Sequence, residues 1–308
     1  MLNKIYEKIK RFILENYKFM IILIVLVFTF TYEFPYVVYT PGGIVNLEKR
    51  IDVEKKVEKK GSLNMSYVTL RKGNIPSILL SFVIPDWDLL KESEVTIDDE
   101  SVDDLLKMEK LYMASSIDNA TILAYKKANK EINITNNVNN VIYVDDLAKT
   151  DVQVYDQIIS VDKNNISDIN DLKKYISTKN ENDIVYFRVK NNGKEKTRKA
   201  QVIKINNELK VGIAFLTTYE YETIPEIKIK TKASESGSSG GLMLSLAIYN
   251  SLIDEDITKG KKVVGTGTID INGNVGKIDG VKYKILGAVK NKANLFICPK
   301  ENYDEAIR

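Results

Sequence analysis

The sequence predicts an α+β multidomain chain, with a single N-terminal transmembrane helix followed by mixed units of helix and strand. Three observations carry that prediction. The chain has 308 residues, about twice a usual domain length. Residues 19–32 carry no charge, and beyond them strand-like alternation repeatedly gives way to helical periodicity. Composition then narrows the chemistry. With 45 basic and 42 acidic residues the net charge is +3, which gives no electrostatic reason to expect nucleic acid as partner. The single cysteine, Cys298, has no partner in the chain for a disulfide, and there is no histidine at all. Imidazole-based nucleophile systems and histidine-ligated zinc are therefore excluded, so any catalysis must run on carboxylates, lysines, hydroxyls or backbone, and no cofactor or metal is expected.

The anchor comes first. Fourteen residues span about 21 Å against a hydrocarbon core of ~30 Å, so the flanks must contribute, giving an expected span of 19–38 after a cytoplasmic segment 1–18. Lys4, Lys8, Lys10, Arg11 and Lys18 precede the run against Glu7 and Glu15, and after it no lysine or arginine appears before Lys49. The positive-inside bias puts residues 1–18 in the cytoplasm and everything past about residue 40 outside, as a single-pass protein of the cell membrane. A cleaved signal peptide is the alternative, but the following TYEFPYVVYTPGG has no A-x-A cleavage site.

The membrane-proximal region, 39–136, opens on a turn at Pro41-Gly42-Gly43. Residues 51–70 read as strands interrupted at Gly61, and 103–130 as a helix whose apolar positions include Leu106, Met113, Ile117, Ile122 and Tyr125. It is expected to be scaffold without chemistry. Next, 137–205 reads as strands at 141–144 and 157–161, a helix capped by Ser167 with Ile169, Leu172 and Ile176 on one face, and a hairpin turning at Asn191-Asn192-Gly193. This order resembles the PDZ domain of bacterial membrane and periplasmic proteases, which implies a peptide groove between a strand and the capped helix. Tyr155-Asp156 stands where Gly-Asp is usual, and a Gly-rich carboxylate loop is missing.

The last unit, 206–308, carries the chemistry. ASESGSSGG opens directly into LMLSLAIYNSLID, a helix apolar nearly all round and therefore buried. A serine at the entrance of such a helix sits where free N–H groups and the dipole stabilise an oxyanion, although a cap, a linker or a phosphate cradle reads the same way. VVGTGTIDI then reads as a buried strand, and VKYKILGAVKNKA as a second helix with Lys282 and Lys284 on or beside its apolar stripe. A desolvated lysine is the plausible base for a serine in a chain without histidine, and the helical wheel does not choose between these two.

GSSGGLMLSLAIYN followed by TGTIDINGNVGKIDGVKYKILGAVKNKANLFICPKEN resembles the Lon-type protease domain, an α/β fold. That resemblance implies Ser239 as nucleophile, Lys284 as base and Thr266 as the residue orienting the lysine. Together with YTPGGIVNL and ASSIDNATILAYKKANKEI upstream, the layout is similar to the membrane-anchored PDZ-plus-Lon-domain serine proteases of the YlbL/SepM type. It implies an ATP-independent serine endopeptidase with a Ser-Lys dyad that cleaves secreted peptides or protein termini outside the cytoplasmic membrane. Lon-type domains often form rings, so a homo-oligomer is compatible, though no interface signature is visible. The departures favour an alternative, a catalytically weak or inactive PDZ-containing adaptor. Ser238 replaces the family's proline and is a rival nucleophile, Gly240 replaces its alanine, and the chain stops at Arg308, so the domain is expected to lack a closing strand and helix. GNVGKI lacks the spacing and the hydroxyl of a nucleotide-binding loop.

Overall fold

The computed structural model describes residues 2–54, 57–96 and 102–307. Lys55 and Lys56, in the stretch expected as interrupted strands, lie outside the described residues, as do Arg308 and the side chains of Lys4 and Asp103. The chain begins with one helix, α1 (Leu2–Thr31). Its 27 residues from Ile5 to Thr31 are long and apolar enough to cross a membrane, reaching about 40 Å at 1.5 Å per residue. The helix thus starts earlier and stops sooner than the expected 19–38. Pro35 explains the stop: it has no N–H to donate and pushes Phe34 out of helical torsions, so the chain turns into strand.

That strand is β1 (Phe34–Asn46), followed by β2 (Ile51–Val53), β3 (Ser62–Gly73), α2 (Ile75–Ser81), β4 (Asp88–Lys91) and the long helix α3 (Val102–Lys127). Pro41-Gly42-Gly43 is not a turn but an irregularity inside β1, where the register against β3 slips between Pro41 and Ile44. A second unit then intervenes, made of β5 (Glu131–Val144), β6 (Gln157–Val161), β7 (Asn164–Asn165), α4 (Ile169–Ile176), β8 (Ile184–Asn191), β9 (Lys194–Gln201), β10 (Ile203–Ile205), β11 (Glu208–Lys210) and β12 (Ile213–Ile224). The chain closes with β13 (Ile227–Ile229), α5 (Gly241–Leu252), β14 (Lys262–Gly265), β15 (Thr268–Ile269), β16 (Val275–Gly276), α6 (Val281–Lys290), β17 (Leu295–Ile297) and the short α7 (Tyr303–Ala306).

The sheet order β17-β14-β3-β1-β4 shows that the region expected as scaffold and the last unit are one structure. β14 lies parallel to β3, with Lys262 opposite Ser62, and parallel to β17 on its other side. Ala120, Ala124 and Tyr125 of α3, Met243, Ala247 and Ile248 of α5, and Leu63 and Val263 of the sheet form one apolar core. α6 packs against β1, β3 and β14. Gly287 allows its close seating, because a Cβ there would lie 3.2 Å and 3.3 Å from the carbonyl oxygens of Gly42 and Gly43.

The inserted unit is built on the sheet β12-β5-β6-β8-β9. Val185, Phe187 and Val189 alternate inward along β8 and join Leu172 and Ile176 of α4 in a second core. Its hairpin turns on Asn192 and Gly193, both with positive φ (49° and 77°), as an Asn-Gly turn requires. α4 is capped by Asp168, not Ser167: the Asp168 carboxylate accepts from the amides of Asn170 and Asp171. The sheet reaches beyond the expected 137–205 at both ends, because the ribbon of β5 and β12 runs from Glu131 opposite Ile224 to Val144 opposite Ile213.

Candidate active site

The Ser/Gly turn is clamped from two sides. From α3, the Ser116 hydroxyl donates to the Ser238 carbonyl at 3.0 Å, and the Glu109 carbonyl accepts from the Gly237 amide at 2.9 Å. From the loop after β14, the Thr266 hydroxyl and the Gly267 amide both donate to the Ser239 carbonyl, at 3.0 Å and 2.7 Å. The amides of Ser239 and Gly240 have no protein acceptor among the described residues. Glycine at 241 is required by space, since a Cβ would run into the Ser116 hydroxyl and Ile269. VVGTGTIDI is accordingly not one strand: it breaks at Thr266-Gly267, where the chain turns away to reach Ser239.

Lys282 and Lys284 have opposite environments. Lys282 is exposed and pairs with Asp86 at 3.5 Å, whereas Lys284 is 3% exposed. Burial lowers the Lys284 pKa to about 8, against the upward pull of Asp279, Glu109 and Glu305. Its ammonium donates to the Asp279 carbonyl at 3.1 Å. No hydrogen bond joins it to the Ser239 hydroxyl or to Thr266 among the described residues. The Thr266 hydroxyl donates to the Ser239 backbone, and Lys284 is held by the loop just ahead of its own helix.

Glu109 escaped the sequence reading. It stands on α3, in a region expected to be inert, yet its carboxylate lies beside the turn, with Oε2 3.0 Å from where a Cβ on Gly237 would be. Burial raises its pKa, the Lys284 ammonium opposes this, and Asp279 adds to it. Burial and the same two carboxylates raise the Tyr39 phenol. Lys284 and the turn bearing Ser239 therefore share one neighbour, the Glu109 carboxylate. Nothing in the spacing of MEKLYM could have marked it, since the approach depends on α3 packing along α5.

A second feature lies in the inserted unit. β12 is the terminal strand of its sheet, and Phe215 shares an apolar cluster with Leu172 and Ile176 of α4. Further along β12, α3 is bound: Ser115 donates to the Thr217 carbonyl and the Tyr219 amide donates to Asp118, both at 2.8 Å. The strand beside the capped helix is therefore β12, which lies past the expected boundary at 205.

Comparison with known proteins divides the chain between residues 202 and 216, so most of β12 falls in the second match. A family model for the PDZ domain matches residues 133–202, and the Lon protease (S16) C-terminal proteolytic domain matches residues 216–307. Among solved structures, the PDZ domain of the SdrC-like protein from Listeria monocytogenes is 20% identical, covering 27% of this chain and 92% of that one, with a TM-score of 0.25. No curated protein matches. Behind a helix able to span a membrane, the chain carries a PDZ domain followed by a Lon-type proteolytic domain, the module order of a PDZ-plus-Lon serine protease.

Proposed function

We propose that this protein is a single-pass, membrane-anchored, ATP-independent serine endopeptidase whose Ser-Lys dyad is Ser239 and Lys284. Its domains lie outside the cytoplasmic membrane, and its substrates are secreted peptides or protein termini. The observation that carries the reading is the buried Lys284, whose pKa near 8 leaves a useful fraction neutral at physiological pH. In the reaction the Ser239 hydroxyl attacks the scissile carbonyl carbon and its proton passes to the neutral Lys284 amine. That proton then goes to the departing amine as the peptide bond breaks. Water hydrolyses the remaining ester and restores the hydroxyl. The unclaimed amides of Ser239 and Gly240 are the natural donors to the oxyanion. Thr266 serves the nucleophile by holding its carbonyl. A peptide adding to the first half of β12, beside α4, supplies recognition.

One observation favours the alternative of a weak or inactive adaptor, namely the Lys284 ammonium resting on Asp279 rather than on Ser239. The two readings separate on one experiment. Full-length protein in detergent is incubated with a secreted-peptide mixture and new termini are read by mass spectrometry. Cleavage is expected from the wild type and from Ser238→Ala, and none from Ser239→Ala. Turnover retained in Ser239→Ala would reject the dyad, and no turnover in any form would leave the adaptor.

A further inference from the structure

Phe82 and Val83, directly after α2, are 75% and 78% exposed, more than any other large apolar side chain among the described residues, those of α1 included. Leu79 and Leu80, in the last turn of α2, are 61% and 43% exposed. The surrounding run IPSILLSFVIP, residues 75–85, carries no charge. A patch of this kind on a folded unit marks a surface that something covers.

The place of the patch says what covers it. Asn74, the N-cap of α2, accepts from the Ser77 amide through its Oδ1 at 3.0 Å and uses its Nδ2 to donate to the carbonyl of Phe30, in the last turn of α1, at 3.0 Å. Beside that junction Phe28 stacks on Tyr32 and Tyr32 meets Phe34 edge-on, with centroids 4.7 Å and 4.9 Å apart, an aromatic cluster of the kind enriched at a membrane–water boundary. The start of α2 is thus fixed at the level where α1 leaves the hydrocarbon.

We propose that the Leu79-Leu80-Phe82-Val83 patch is a second membrane contact, seated in the apolar boundary of the outer leaflet beside the anchor; this rests on α1 spanning the bilayer. The contact leads toward the candidate site. Past the patch, Asp86 pairs with Lys282 and Asp88 accepts from the Tyr283 hydroxyl, so the residues next to Lys284 on α6 are tied to the segment resting on lipid.

The chain has one tryptophan, Trp87, which permits a clean fluorescence test. Full-length protein carrying Trp87→Phe is given one new indole, by Phe82→Trp or by Phe28→Trp, and reconstituted in phosphatidylcholine vesicles with or without brominated acyl chains. Quenching by bromine several-fold at both positions is expected. Quenching for Phe28→Trp with none for Phe82→Trp overturns the contact and leaves the span standing, whereas quenching at neither overturns both. An indole from Phe82→Trp that is shielded from aqueous acrylamide yet untouched by bromine means that protein covers the patch, which also overturns it. If Trp87→Phe fails to fold, native Trp87 decides: its bromine quenching falls in Phe82→Ser/Val83→Ser, and equal quenching in that variant and the wild type rejects the contact.

Discussion

Lys284 sets the pH at which the proposed dyad works. Only the neutral amine accepts a proton, and with a pKa near 8 the neutral fraction falls about tenfold for each unit of pH below that value. kcat/KM is therefore expected to rise through neutrality and level off above about pH 8. Glu109 pulls that pKa upward, against burial. Glu109→Gln removes the negative charge, the proton leaves Lys284 more easily, and the acid limb of the pH–rate profile moves to lower pH. A loss of activity uniform across pH, with the limb unmoved, would mean that Glu109 only braces the Gly237 turn. At this scale the sequence was legible in part. Chemistry without histidine leaves few bases, and the motif match singles out Ser239 and Lys284. The choice of Lys284 over Lys282 by burial needs α6 seated on the sheet, and Glu109 needs α3 seated beside the turn.

Among the elements, α6 carries Lys284 and is seated closely on β1. Gly287 places its backbone against two carbonyls of the β1 irregularity, so a side chain there requires the helix or the strand to give by a few tenths of an ångström, and a shift of the helix carries Lys284 with it. Gly287→Ala is expected to lower kcat at least tenfold and to cost about 1–3 kcal/mol by overpacking, read by peptide turnover and thermal melting. Gly240→Ala is the contrasting case: its new methyl meets only the Met65 sulfur, 2.7 Å away at the movable end of a side chain, and near-normal turnover is expected. Sequence periodicity gave α3, α5 and α6 close to their observed limits, and the alternation and Asn-Gly turn gave β8 and β9. The break at Thr266-Gly267 was not legible, because the run reads as one strand until the loop is drawn to the Ser239 carbonyl by tertiary contact. The strand β12 has strong alternation in IAFLTTYEYETI, but its pairing with β5 across the boundary expected at 205 is a tertiary contact that alternation does not reveal.

At the scale of the molecule, α3 is the seam between the units, with Ser116 on the nucleophile turn and Ser115 and Asp118 on β12. Burial raises the Asp118 pKa to about 6, although the Tyr219 amide and the Tyr221 hydroxyl oppose the shift. Between roughly pH 4 and 6 the folded protein holds a proton that the unfolded chain has released, so stability falls as pH rises through that window. Asp118→Asn keeps an oxygen for Tyr219 without the buried charge. It is expected to flatten this window and to raise the unfolding free energy above pH 6, by at most about 3 kcal/mol for a shift near two units. A chemical-denaturation series at pH 4, 5, 6 and 7 checks both parts.

The parallel pairing of β14 with β3, Lys262 opposite Ser62, bears on when the proposed active site is completed. Those strands are about two hundred residues apart, and the entire inserted unit is translated between them. β3 must wait on the ribosome for its partner, while the local contacts of the insert can form early. Both residues of the proposed dyad, Ser239 and Lys284, belong to the late-emerging part, so a half-made chain lacks the pair on which the proposed cleavage depends.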